Sequence, residues 1–195
     1  TDISLGGKHV FVAMLWSFSN EAQNSIYEAS TWTEYAKSFM TVTSIIQAEL
    51  FRESVTHLSG NVVDCGAGCA KIAPYLRYRD DILSYIAIDA SPTMCQYGEK
   101  VLARVDHSHF TMVNSLIEDY TSESLFDSAV CLNSFYTWPY PKLVLQHIRT
   151  LLKPNAHFVL ATINEDIDME RLIQEGEPDL IMHPDVEKFK SMNQQ

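Results

Sequence analysis

Two acids and two glycines carry the spacing that ligand chemistry needs. Asn61-Val62-Val63-Asp64-Cys65-Gly66-Ala67-Gly68-Cys69-Ala70 is a short β-branched run that ends in an acid and passes into a Gly-x-Gly turn. A second apolar run, Tyr85-Ile86-Ala87-Ile88, ends in another acid, Asp89, 23 positions after Gly66. Glycines let a loop turn tightly and let backbone N–H groups come close to a ligand. An acid at the tip of the following strand can take both hydroxyls of a ribose. The layout predicts a nucleoside-type cofactor at the carboxyl edge of a parallel sheet. A glycine-bearing strand-to-helix turn with no ligand would account for the glycines but leave Asp89 without a purpose.

Small differences decide which cofactor. A dinucleotide fingerprint reads Gly-x-Gly-x-x-Gly, and its third glycine would fall at Lys71. Here Asp64 precedes the first glycine, giving Asp-x-Gly-x-Gly-x-Ala. This resembles the first motif of class I S-adenosylmethionine (SAM)-dependent methyltransferases, Asp/Glu-x-Gly-x-Gly-x-Gly. Ala70 replaces the last glycine and adds one methyl near the turn. Ile88-Asp89-Ala90-Ser91-Pro92-Thr93-Met94 resembles the second motif of that family. Ser91 and Pro92 also read as an N-cap and a first helical residue, whatever binds nearby. Phe110-Thr111-Met112-Val113-Asn114-Ser115-Leu116 resembles the third-strand segment, with Asn114 or Ser115 where an Asp usually meets the adenine amino group. A side-chain amide can accept the same hydrogen bond.

The longest match begins with Phe126-Asp127-Ser128-Ala129-Val130-Cys131-Leu132-Asn133-Ser134-Phe135-Tyr136 and continues from Pro141 through Leu151-Leu152-Lys153-Pro154 to Phe158-Val159-Leu160-Ala161-Thr162. It is similar to the family's fourth strand, its helix, the Leu-Lys-Pro turn and the fifth strand. Asn155-Ala156 replaces the usual Gly-Gly, and Asn tolerates the left-handed backbone that such a turn requires. The resemblance covers about residues 60 to 163.

The resemblance implies SAM as cofactor and S-adenosylhomocysteine (SAH) as product. It implies backbone approach at Gly66, Ala67 and Gly68, with Asp64 orienting the amino-acid end. Asp89 and Ala90 would hold the ribose, and Met94 with Asn114 or Ser115 would flank the adenine. The backbone around Leu132 and Asn133 would face the methionine moiety. The segment from Tyr27 to Ala36 looks like the capping helices of small-molecule members, with Tyr27 and Tyr35 against the cofactor and Trp32 against the acceptor; core packing would explain the same aromatics. Asn133-Ser134-Phe135-Tyr136 has the Asn and aromatic spacing of the Asn-Pro-Pro-Tyr motif of amino-group methyltransferases, without its prolines. Tyr136 and Trp138 are expected either to wall the acceptor pocket or to serve the structure. Methyl transfer from a sulfonium is an in-line displacement, so the protein need mainly align the nucleophile and exclude water. No obligatory catalytic residue is therefore expected. Tyr136 and His183 are the candidates, His183 as a general base or simply as a surface histidine.

The elements must place these residues on one edge. Alternating strands and helices predict an α/β, doubly wound, mainly parallel sheet. Strands are expected near 61–65, 84–89, 109–113, 126–132 and 157–163, with helices near 69–79, 92–105 and 141–152. Residues 1–58 read as an N-terminal helical cap, in which Val42, Ile45, Ile46, Leu50 and Phe51 trace an apolar stripe. Residues 59–163 form the Rossmann-like, SAM-binding core. Residues 164–195 read as a helical tail or substrate lid without a convincing strand, whereas the family fold usually adds two more strands. The chain is then a fragment, a shortened fold, or one whose exposed edge is completed by a second copy or a partner chain. Because it starts at Thr1, an initiator residue or longer leader is expected to have been lost.

Composition narrows the partners. With 195 residues, 46% of them hydrophobic, the chain is long enough for one domain with a sizeable core. No apolar run approaches the roughly 18 residues that span a membrane, and the run from His9 to Trp16 lacks a cleavage site for a signal peptide. The net charge of −11, from 14 basic and 25 acidic residues, speaks against nucleic acid. A small neutral or cationic acceptor, or a peptide, fits better. Cys65, Cys69, Cys95 and Cys131 show no Cys-x-x-Cys spacing, so no zinc site is expected, and they read as reduced thiols of a cytoplasmic protein. His107 and His109 have no third ligand near them in sequence, so no metal is expected. The reading is a methyltransferase acting on a small molecule or peptide at O, N or C, in small-molecule or natural-product metabolism. Two alternatives remain: a catalytically silent SAM-binding or scaffold subunit, and a nicotinamide-dependent oxidoreductase.

Overall fold

A computed structural model describes Ala36 and residues 45–162. Tyr27, Trp32, Tyr35, Val42 and His183, and the proposed tail, lie outside the described residues. In chain order the elements are α1 (Ile45–Val55), β1 (Gly60–Cys65), α2 (Ala73–Leu76), β2 (Ile82–Asp89), α3 (Pro92–Val105) and β3 (Phe110–Asn114). Then come β4 (Phe126–Leu132), α4 (Pro141–Leu151) and β5 (Leu152–Ala161), with one-turn 3-10 helices at Ile117–Asp119 and Phe135–Thr137. The sheet is parallel throughout, in the order β3-β2-β1-β4-β5. β1 thus sits at the centre, and chain order reverses on either side of it. In doubly wound sheets such a reversal opens a ligand crevice at the carboxyl ends of the strands. Among the described residues no helix is long and apolar enough to cross a membrane.

Side-chain alternation sorts the central strands between two cores. Val62, Tyr85, Ala87 and Val130 face one side, where Phe51 and Val55 of α1, Leu76 of α2, and Leu102 and Val105 of α3 cover them. Val63, Cys65, Ile88, Ala129 and Cys131 face the other, under Val144, Ile148 and Leu151 of α4 and Trp138. On α4 those three residues recur at i, i+4 and i+7, one apolar stripe. Phe51 thus packs where the stripe on α1 predicts, while Leu50 is half-buried.

Local chemistry explains the element ends. Ser91 is extended and its Oγ accepts the Met94 N–H at 3.3 Å, while Pro92 opens α3 without leaving a wasted donor. Asp106, at φ 54°, closes α3 by donating its N–H to Leu102 O at 3.1 Å. The helix expected near 69–79 is reduced to Ala73–Leu76. Ala70 is left-handed at φ 54°, which interrupts helical backbone, and Pro74 cannot donate inside a longer helix. Asn155 is left-handed at φ 64°, as the turn requires. It lies where β5 bulges, since Phe126 pairs with Leu152 but Ser128 pairs with His157.

Candidate cofactor site at the carboxyl edge

The glycine turn is wound by three alternating left-handed residues: Gly66 at φ 76°, Gly68 at 54° and Ala70 at 54°. Ala70 therefore does more than add a methyl, because it holds a backbone conformation that side chains resist. The N–H groups of Gly66 and Ala67 both donate to Ile88 O at 2.9 Å, and that of Gly68 donates to Asp89 Oδ2 at 2.7 Å. A Cβ on Gly66 would lie 2.3 Å from Ser134 Oγ, so its bare Cα makes room for the loop after β4. Ser134 Oγ in turn donates to Cys65 O at 2.9 Å and touches Cys131 Sγ at 3.1 Å.

Asp89 is the hub. Its second oxygen, Oδ1, accepts the Ser91 N–H at 2.9 Å. Its carbonyl takes Asn114 Nδ2 at 3.0 Å and the Ser115 N–H at 3.1 Å. The ends of β1, β2 and β3 are thereby tied to one half-buried residue. Burial pushes the Asp89 carboxyl up, and the two backbone N–H donors from Ser91 and Gly68 pull it back down. Each carboxylate oxygen accepts one backbone N–H and keeps capacity for a second donor. Ala90 and Asn114 are exposed beside it, and Ser115 is half-buried with its hydroxyl on Leu116 O at 2.8 Å. Because Asn114 donates through Nδ2, its Oδ1 is the atom suited to an incoming amino group.

Asp64 sits one strand away and is 3% exposed. Tyr85 Oη donates to its Oδ2 at 2.6 Å. Burial, more than any neighbour, pushes its carboxyl up to about 7; Tyr85 lowers it and the nearby Asp89 raises it. Met94 is buried against Cys69, whose thiol lies 3.4 Å from the Met94 sulfur, and against Ala36. Ala36 therefore packs on the turn at Cys69.

The opposite end of the edge is built differently. Asn133 is left-handed at φ 57° and its N–H donates to Ala161 O at 2.8 Å, tying β4 to β5. Leu132 and Tyr136 are half-buried there. Trp138 is only 9% exposed and packs against Phe135, ring centroids 5.4 Å apart, so its ring belongs to the core on that face. All four cysteines are free and buried. Burial pushes Cys69 and Cys131 up to about 12 and Cys95 to about 11, so they remain neutral thiols. His107 stacks on Phe110 at 4.2 Å, and no group of three or more metal-ligating side chains occurs among the described residues.

Two site residues escaped the sequence reading. Ser134 lies within the motif-like stretch but was given no task. Tyr85 reads as one more apolar strand residue. Its signal is chemical: a tyrosine in a fully buried strand needs an acceptor for its hydroxyl.

A methyltransferase domain family model matches residues 32–194. The chain belongs to that family. No curated protein sequence matches it. Among solved structures, the N-methyltransferase NodS from Bradyrhizobium japonicum WM9, in complex with SAH, is similar at TM-score 0.59 and 16% identity, over 69% of this chain and 71% of that one. The [4+2]-cyclase SpnF is similar at TM-score 0.54 and 18% identity, over 58% of this chain and 44% of that one. A SAM-dependent methyltransferase from Geobacter sulfurreducens, in complex with SAH, gives 0.50 and 14%, over 60% and 47%. The chain thus spans less than half the length of the last two. At these identities the likeness establishes the Rossmann-like methyltransferase fold, and that fold hosts more than one chemistry.

Proposed function

We propose that this chain binds SAM at the β1–β2–β3 end of the edge and transfers its methyl group to a small-molecule or peptide acceptor at O, N or C. The observation that carries this reading is the hydrogen bonding of the glycine turn. A dinucleotide needs N–H groups of the turn, and the N-terminus of the helix that follows, for its pyrophosphate. Here the N–H groups of Gly66, Ala67 and Gly68 are already bonded to Ile88 and Asp89, and the following helix has 4 residues. The turn is suited to a nucleoside without phosphate, which weighs against a nicotinamide cofactor. Family membership and the SAH bound by two of the similar structures support the same choice.

In this reading Asp89 takes the ribose hydroxyls with its remaining lone pairs. Asn114 Oδ1 or Ser115 takes the adenine amino group, and Met94 with Ala36 closes the apolar side. Asp64 faces the amino-acid end, and the backbone at Leu132 and Asn133 faces the methionine moiety. The cofactor supplies a methyl on a positively charged sulfur, which an acceptor nucleophile displaces in line. The chain's own task is to align that nucleophile and exclude water. Tyr136, half-buried after β4, would contact the acceptor. Residues 1–58 would serve as a cap bearing Tyr27, Trp32 and Tyr35, and residues 164–195 as a tail or lid bearing His183. The net charge of −11 favours a neutral or cationic acceptor over nucleic acid. Four buried free thiols fit the cytoplasm. A second copy or a partner chain would complete the β5 edge.

Replacing Asp89 tests the assignment. Asp89→Ala is expected to weaken SAM binding by about 1.5–3 kcal/mol, or roughly 10- to 150-fold. Asp89→Asn, which keeps one acceptor oxygen, should lose less. Unchanged affinity would remove the ribose role. A catalytically silent SAM-binding subunit is the second reading, suggested by Ala70 held at φ 54° in a glycine's place. It would bind SAM and methylate nothing in an acceptor screen.

A further inference from the structure

Tyr85 is the largest fully buried side chain among the described residues. It stands opposite Val62 in the β1–β2 register, so its hydroxyl must reach two residues along the neighbouring strand to meet Asp64. Its ring packs on Phe110 of β3, centroids 5.3 Å apart. Three strands therefore fix one hydroxyl on one carboxylate. That bond is the only one made to the Asp64 side chain among the described residues. Their ion pairs lie elsewhere, at His57–Glu53, Arg79–Asp81 and Lys153–Asp127.

The titratable groups that feel Asp64 are Asp89 and Tyr85 of β2 on its own face and, across the sheet, Cys65 of its own strand and Cys131 of β4. None is a cation. Lys71, beyond the turn, places its Nζ 3.2 Å from Gln47 Oε1 on α1. A carboxylate with burial and a second acid against it has one neutral donor in its favour. Near neutral pH such a group exchanges its proton readily, and burial indeed holds it at about 7.

We infer that Tyr85 is a positioning residue for the cofactor's amino-acid end, acting through Asp64, and that binding of a ligand ammonium beside Asp64 expels the proton this carboxyl carries in the free protein. The inference rests on the SAM reading of the site. Tyr85 occupies Oδ2 and so leaves Oδ1 for the incoming group. An adjacent ammonium favours the ionised carboxylate, so the proton leaves to solvent and affinity follows pH. Tyr85 also stabilises the charged form, so losing its hydroxyl moves the coupling to higher pH rather than simply weakening it.

The test is calorimetric titration of SAM and SAH from pH 6 to 8, in paired buffers of different ionisation enthalpy. Wild type, Tyr85→Phe and Asp64→Asn are compared; the ligand's own titration is common to all three. Relative to Asp64→Asn, wild-type affinity is expected to rise about tenfold over that range, with net proton release near pH 7. Tyr85→Phe should bind less well at pH 7, release more proton, and approach wild type as pH rises. A constant wild-type to Tyr85→Phe ratio at every pH would reduce Tyr85 to a structural residue. Affinity without pH dependence or proton release would overturn the coupling while leaving the cofactor reading intact.

Denaturation of the cofactor-free protein gives an independent readout. The Asp64 carboxyl is raised on folding, so its contribution to stability is full below pH 4 and is lost as pH rises towards 7. Wild type should lose stability relative to Asp64→Asn across that window. Absence of that loss would overturn the inference whether or not SAM binds. The loss together with no SAM binding at any pH would overturn the cofactor reading and the coupling with it.

Discussion

The two ends of the sheet's carboxyl edge are held by different forces. At the β1–β2–β3 end, polar groups are cross-linked: three backbone N–H groups of the turn, the Asp89 carboxylate and carbonyl, Asn114 and Tyr85–Asp64. At the β4–β5 end, apolar packing dominates, with Trp138 against Phe135, and the Ser134 hydroxyl bonded to Cys65 O joins it to β1. A cofactor common to many reactions suits a fixed polar frame, because its hydroxyls and charges do not vary. An acceptor that differs between enzymes suits a loop whose backbone is set by packing and whose half-buried side chains can change. Function-specific chemistry is accordingly expected around Tyr136 rather than around Asp89.

That contrast can be broken in order of effect. Trp138→Ala should cost about 3–5 kcal/mol of stability, the range for emptying a large core aromatic, as read by chemical denaturation. Tyr136→Phe should cost far less stability than that and alter turnover of an identified acceptor. Trp138→Ala folding normally with altered acceptor selectivity would put that ring back on the pocket wall.

Gly66→Ala comes next. It combines a left-handed backbone with a Cβ set 2.3 Å from Ser134 Oγ, and should cost roughly 2–4 kcal/mol. Adding Ser134→Gly removes the clash but not the backbone strain, so the pair should recover part of the loss and be clearly non-additive. Simple additivity would mean that the two ends of the edge are not joined at this contact. The smallest effect belongs to Asn155, where Asn155→Ala should lower stability by about 1 kcal/mol and Asn155→Gly should be close to neutral. Equal losses would show that the backbone at the β5 bulge does not need its left-handed residue.

Much of this was readable from the residues alone, for reasons that differ by element. Strand and helix alternation, the Ser91-Pro92 helix start and the left-handed Asn155 are local effects, and each was legible. The helix after the turn was not, because Ala70 takes a backbone that alanine normally avoids, a choice made by the packing around it. Tyr85–Asp64 was hidden because a diagonal contact between strands depends on register, and nothing near Tyr85 in sequence announces its acceptor. Trp138 could serve either the acceptor pocket or the structure on sequence alone; the one-turn helix at Phe135–Thr137 leads it into the core cluster of that face, a packing that depends on tertiary contacts. Asp64, Gly66, Gly68, Asp89 and Asn114 do converge on one edge, but Gly66 serves there by admitting Ser134.

The central claim is that this edge is a nucleoside site without a phosphate pocket. Calorimetric titration with SAM, SAH and NAD tests it most directly. Micromolar binding of SAM and SAH with none for NAD is the result expected from a turn whose N–H groups are already bonded. NAD binding without SAM binding would contradict it, and would require those N–H groups to leave Ile88 and Asp89.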